Sequence, residues 1–163
     1  MSDIKMKILF LHGKEGSPRG KKVSFLVDKG YQVVAPDLPK DDWEGSIQHA
    51  LSCLEVYKPD VIIGSSRGGA VACELDVTIP KILIAPAYLK FFSSPRPFVD
   101  ESTTVLHCLF DDIVDYADSV RLEELYGCRL IPCGKNHRMS DDNALENILN
   151  EVKTILGGIN ESI

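Results

Sequence analysis

Short, continuous apolar runs alternate with segments of helical period along the whole chain. Runs at 7–11, 32–35, 60–64, 81–85, 103–107 and 128–132 predict six strands. Their unbroken apolar character suits strands buried on both faces, and the alternation with helices predicts a parallel sheet. The expected fold class is therefore α/β: a doubly wound, mainly parallel sheet of about six strands with helices on both faces.

Start and stop signals delimit the helices. Ser17 and Pro18 read as an N-cap and a first-turn proline, and Gly30 as the stop of that helix. Asp41 with Glu44 resembles a capping box opening a helix over 42–57, which would bury Trp43, Ile47, Ala50, Leu51 and Leu54. Asp115 would cap a helix over 116–126. The last helix is expected from about Ser140 to Leu156, with Leu145, Ile148, Leu149, Val152, Ile155 and Leu156 inward and Gly157 as its stop. Residues 1–157 then form one domain and 158–163 a frayed tail. The longest irregular stretch, 86–102, is the one insertion placed to cover a site.

The turn after the third strand carries the first chemical signal. Gly64-Ser65-Ser66-Arg67-Gly68 follows Val61-Ile62-Ile63, a G-x-S-x-G pattern that lifts a serine above the sheet edge at a sharp strand-to-helix turn. Gly64 and Gly68 give the room, and Gly69-Ala70 let the next helix sit close. A serine hydroxyl is a weak nucleophile until a base takes its proton, and the base needs an orienting acid. Both follow in the order Ser, Asp, His. Asp111, with Asp112 as its adjacent rival, lies after the fifth strand, and His137 lies between the last strand and the last helix. Each site is a carboxyl edge of the sheet, where ligands bind in open α/β folds. His49 falls within a helix, and His107 ends a strand ahead of the acid. Taken singly, Asp111 reads equally as a turn or capping aspartate and His137 as a solvated loop histidine.

His12-Gly13-Lys14 follows the first strand. Acyl transfer needs backbone N–H groups aimed at the developing oxyanion. Arg67, directly after the serine, would supply one, and Lys14 or its neighbour Glu15 the other. His12, Gly13, Arg67 and Tyr88 are candidates for substrate contact. Tyr88, Phe91, Phe92 and Phe98 would line an acyl pocket or serve as core.

These residues, His12-Gly13, Gly64 to Gly68, His107 to Val114 and His137, resemble the α/β-hydrolase superfamily over nearly the whole chain. The short length and the Gly16-Ser17-Pro18 turn resemble its small, lidless bacterial esterase-like members. The resemblance implies a Ser66–Asp111–His137 triad, hydrolysis through an acyl-enzyme, a minimal fold without a large lid, and no metal or organic cofactor. The acid segment of that family usually reads H-G-x-x-D, and Cys108 stands here in the glycine's place.

Composition narrows the setting. A chain of 163 residues with 44% hydrophobic positions fits one domain. A net charge of -6 argues against nucleic acid. Five scattered cysteines without a C-x-x-C pair suggest neither a zinc site nor a redox motif, and read as reduced thiols. Lys5 and Lys7 before Ile8 to Leu11 mimic a signal peptide, but the apolar run is too short; no segment is long enough to span a bilayer, so a soluble cytoplasmic protein is expected. Gly16 to Lys22 fails as a phosphate loop, because Lys22 occupies the Ser/Thr position. Lys14, Arg67, Lys135 and Arg138 would place four cations at one mouth and favour a carboxylate or phosphate; pairing of Arg67 with a local acid such as Glu15 is the favoured alternative. The expected partner is a small ester or thioester, the second reading being a silent binding protein using the same cleft. Oligomeric state is not legible.

Overall fold

The computed structural model describes residues 6–14, 16–92 and 94–161, with side chains to residue 158. Lys5 and Glu15 lie outside the described residues. Six strands form one sheet: β1 (Lys7–Leu11), β2 (Gln32–Val34), β3 (Val61–Ser65), β4 (Lys81–Ile84), β5 (Thr104–His107) and β6 (Arg129–Pro132). Their order is β2-β1-β3-β4-β5-β6, and every neighbouring pair is parallel. Successive side chains of a strand face opposite ways, so β1 feeds two cores. Leu9 and Leu11 pack with the helices α2 (Trp43–Tyr57), α3 (Arg67–Ala72) and α4 (Tyr116–Tyr126). Ile8 and Phe10 pack with α1 (Lys21–Asp28) and α5 (Asp142–Glu161). The central strands β1, β3, β4 and β5 are mainly apolar and buried because both faces are covered, while the edge strands β2 and β6 are only partly buried.

The chain leaves β1 toward β2 on one side, then continues from β3 to β6 on the other. That reversal opens a crevice between the carboxyl ends of β1 and β3. Leu11 pairs with Gly64 there, which sets the segment after β1 against the segment after β3.

Three helix boundaries differ from expectation. α1 begins at Lys21 with Gly20 as its N-cap. Ser17 instead closes a turn upstream, its Oγ accepting from the Arg19 N–H at 3.2 Å and its carbonyl from the Gly20 N–H at 3.2 Å. Asp42, not Asp41, caps α2, accepting from the Gly45 N–H at 2.8 Å. On that helix Cys53 and Ser46 turn inward while Leu51 is exposed. α5 starts at Asp142 and runs through Gly157 and Gly158 to Glu161. Neither glycine takes the left-handed conformation that ends a helix, unlike Gly30 and Gly127. Asp115 caps α4 as expected, accepting from the Ala117 N–H at 2.9 Å. Among the described residues no helix is long and apolar enough to cross a membrane.

Candidate active site

Ser66 stands at the turn from β3 into α3 with φ 55° and ψ -113°. That backbone costs a non-glycine residue about 1–3 kcal/mol, so its surroundings must hold it. They do: the Ser66 N–H donates to the Ile84 carbonyl at 2.9 Å, and the Ser66 carbonyl accepts from Ala70 at 3.1 Å and Ala87 at 3.0 Å. The flanking glycines are needed for close approach. A Cβ on Gly64 would stand 2.5 Å from the Gly68 carbonyl oxygen, and one on Gly68 would collide with the Leu11 carbonyl.

The Ser66 Oγ lies 2.9 Å from His137 Nε2, and His137 Nδ1 lies 2.7 Å from Asp111 Oδ2. A carboxylate only accepts, so Nδ1 carries the imidazole proton and Nε2 accepts from the serine hydroxyl. Of the two adjacent aspartates, Asp111 meets His137, whereas Asp112 is exposed. The loop after β5 fixes Asp111: its Oδ1 accepts from the Ile113 N–H at 2.8 Å and the Val114 N–H at 2.9 Å. Its side chain is fully buried. Burial alone would raise its pKa; the hydrogen bonds from His137, Val114 and Ile113 outweigh that and hold it below 3.8. Cys108 replaces the expected glycine without a left-handed backbone and is buried among core side chains.

His107 is part of this network, which the sequence reading passed over. Its Nε2–H reaches both Asp111 Oδ2 and the Val114 carbonyl at 3.0 Å, and its Nδ1 accepts from the Ser119 hydroxyl at 2.6 Å. Burial pushes its pKa below 6.5, despite the Asp111 charge beside it. A neutral imidazole thus braces the same carboxylate oxygen that receives His137. The one available signal was the i,i+4 spacing of His107 and Asp111.

The segment bearing His137 is a turn pinned by hydrogen bonds. Asn136 accepts from the Met139 N–H through its carbonyl and from the Arg138 N–H through its side chain, both at 3.1 Å. Asp141 holds the Lys135 N–H at 3.0 Å and Asn143 the Gly134 N–H at 2.9 Å. Across the crevice, Gly13 packs against the elbow: a Cβ there would stand 3.2 Å from the Ser65 carbonyl oxygen. Lys14 follows in a turn closed by the Gly16 N–H on the Gly13 carbonyl at 3.0 Å. Arg67 opens α3, where first-turn N–H groups lack helical partners. His12 is buried, with Nδ1 donating to the Gly13 carbonyl at 2.7 Å and Nε2 accepting from the Leu38 N–H at 2.9 Å. It is therefore neutral, and its 3.6 Å approach to Asp37 is not an ion pair.

These elements surround a cavity of about 780 Å³, lined by His12, Gly13, Lys14, Ser66, Arg67 and His137 among others. Tyr88 does not line it. It is buried against the second face of the sheet, with its hydroxyl on the Asp118 carbonyl at 2.7 Å, beside a smaller cavity. Phe91 does border the cleft and stacks on Trp43, ring centres 5.4 Å apart; Phe92 is exposed. From the irregular stretch after β4, Ala87, Lys90 and Phe91 reach the cleft. The Arg67 guanidinium is buried against the stacked Trp43 and Phe91 rings and donates to the Pro39 carbonyl at 3.0 Å and Ser46 Oγ at 3.1 Å. Its local acids are Asp41 and Asp42. All five cysteines are free thiols, and burial pushes Cys133 up to about 11. Among the described residues no group of three His, Cys, Asp or Glu side chains could hold a metal ion.

No family description and no curated protein matches the chain by sequence. Solved structures do match its fold. A protein from Xanthomonas campestris assigned to the alpha/beta hydrolase superfamily covers 98% of this chain and 100% of its own, with a TM-score of 0.72 and 20% identity. Alpha/beta hydrolase domain-containing protein 10 from mouse covers 98% and 92%, with a TM-score of 0.75 and 15% identity. Est1E from Butyrivibrio proteoclasticus covers 93% and 87%, with a TM-score of 0.71 and 20% identity; that protein has also been solved with ferulic acid bound. Among the described residues, a six-stranded parallel sheet with five helices, matched over most of its length by these proteins, forms the α/β-hydrolase fold.

Proposed function

We propose that the protein is a serine hydrolase that cleaves carboxylic esters or thioesters through an acyl-enzyme. The observation that carries this reading is the continuous chain from Ser66 Oγ to His137 Nε2 (2.9 Å) and from His137 Nδ1 to Asp111 (2.7 Å), opening into the large cleft. His137 takes the Ser66 proton as Oγ attacks the acyl carbon. The same proton passes to the departing alcohol or thiol as the carbon–oxygen or carbon–sulfur bond breaks. Water, activated by His137, then releases the acid and restores Ser66. Asp111 holds the imidazole tautomer and stabilises its cationic form. The Lys14 and Arg67 N–H groups receive the oxyanion, and His12 and Gly13 position the first of these. No step calls for a cofactor. Est1E, which shares the fold, binds ferulic acid, a carboxylic acid of the kind ester hydrolysis releases.

A panel of p-nitrophenyl esters of increasing acyl length tests the reading. Wild-type protein is expected to turn over the short members. Ser66→Ala, with unchanged circular dichroism, should lose on the order of 10⁴-fold or more in turnover. Absence of hydrolysis by wild-type protein across the panel would overturn the proposal and leave the cleft to ligand binding.

A further inference from the structure

The cleft differs in charge from the molecule that holds it. The whole chain carries -6, yet the described residues lining the cavity include Lys14, Lys21, Lys22, Lys90 and Arg138, beside Arg67, and no aspartate or glutamate. Arg67 is committed elsewhere, against two aromatic rings and on two oxygens, with Asp41 and Asp42 offsetting its charge. Asp111 lies behind His137 and is spent on four donors. Among the described residues, none of the other five cations forms an ion pair; the single Lys or Arg ion pair is Arg129 with Glu151, on β6 and α5.

Three of these cations gather on one wall. Lys21 and Lys22 open α1, and Arg138 follows His137. Lys22 Nζ joins the two segments, donating to the Arg138 carbonyl at 2.6 Å and Ser140 Oγ at 3.3 Å. An ammonium has three N–H donors, so one remains for the cleft. Burial, and then the Arg138 guanidinium, push Lys22 down to about 8. This is a half-buried positive centre, against another positive charge and without a counter-charge among the described residues. Such a place is stabilised by an arriving anion. Lys90, from the segment after β4, instead ties down the acid loop through the Ile113 carbonyl at 2.6 Å.

We propose that this cleft selects substrates carrying a second, anionic group, a carboxylate or phosphate, seated against Lys21, Lys22 and Arg138 away from the scissile bond. The proposal rests on the hydrolase reading for its chemistry but not for its binding. Positive walls of low dielectric concentrate an anionic ester at the mouth and pair with it inside. The reacting carbonyl is then positioned by a contact that neutral esters lack.

The test uses matched pairs. On the acyl side, p-nitrophenyl hydrogen adipate is compared with p-nitrophenyl methyl adipate. On the alcohol side, 4-carboxyphenyl butyrate is compared with its methyl ester. At low ionic strength kcat/KM is expected to favour the anionic member of at least one pair by about tenfold or more, and the favoured pair identifies which side of the substrate carries the charge. The preference should shrink at high salt. Lys21→Glu and Arg138→Glu should each lower the anionic-to-neutral ratio at least several-fold. Calorimetric titration of Ser66→Ala with the same esters reads binding without turnover. Equal binding of charged and neutral members in both pairs overturns the anion site, whatever the hydrolysis assay gives. Preferential anion binding without any wild-type turnover upholds the anion site and removes the hydrolase reading.

Discussion

Four donors converge on the Asp111 carboxylate: two imidazoles on Oδ2 and two backbone N–H groups on Oδ1. Asp111→Asn keeps the shape but puts a donor where the His137 tautomer needs an acceptor. Turnover should fall about 10⁴-fold, whereas Asp112→Asn, exposed, should stay within a few-fold; steady-state kinetics on one ester compares them. His107 adds a pH dependence to stability. Its folded pKa lies below 6.5, so the unfolded chain takes up the proton first as pH falls. Stability is therefore full above about pH 6.5 and declines below it, toward the folded pKa. Asp111, also depressed, adds a second decline that begins only below 3.8. Urea unfolding between pH 7.5 and 4.5 should show the first decline in wild-type protein and a flatter profile in His107→Asn. A profile equally steep in the variant assigns the decline to other groups. At this scale the sequence showed which residue types lie at the sheet's carboxyl edge and in what order. It could not separate Asp111 from Asp112, because adjacent carboxylates differ only in which one the turn's N–H groups capture. Nor could it show His107 reaching forward, since that depends on how the chain folds back after β5.

Periodicity was the readable signal for the elements, and glycine the ambiguous one. All six strands and the four longer helices follow from apolar spacing, because a sheet buried on both faces demands it. Helix ends depend on single backbone conformations. Gly30 and Gly127 adopt positive φ and end their helices, while Gly157 stays helical. Ser17 and Asp41 are plausible caps in sequence, and the caps used are Gly20 and Asp42. Two substitutions separate the uses of glycine. Gly157 has open space where a Cβ would go, so Gly157→Ala should stabilise the fold by about 0.5–1 kcal/mol, a gain of about 1–4 °C in Tm. Gly68→Ala drives a Cβ into the Leu11 and His12 carbonyls and should cost about 3 kcal/mol, because backbone cannot move aside as a side-chain tip can. Thermal melts of the two variants should shift in opposite directions.

At the scale of the molecule, the reversal of strand order between β1 and β3 brings residues 12–14, 66, 111 and 137 to one rim. The same rim gathers cations in an acidic protein. Composition hid this, because the sign of a patch depends on which loops meet. Lys14 and Arg138 were foreseen at the mouth and do line it; Lys135 does not, and Lys21, Lys22 and Lys90 join them. Arg67 packs its guanidinium against the stacked Trp43 and Phe91 rings instead.

The account stands or falls on Ser66 as an activated nucleophile. Incubation with a fluorophosphonate, followed by mass spectrometry of the intact and digested protein, reads that property without knowledge of the substrate. Covalent addition of one probe per chain is expected, on the peptide containing Ser66, and it should vanish in folded Ser66→Ala and in His137→Ala. An unmodified wild-type protein, or an adduct that persists in Ser66→Ala, would contradict it.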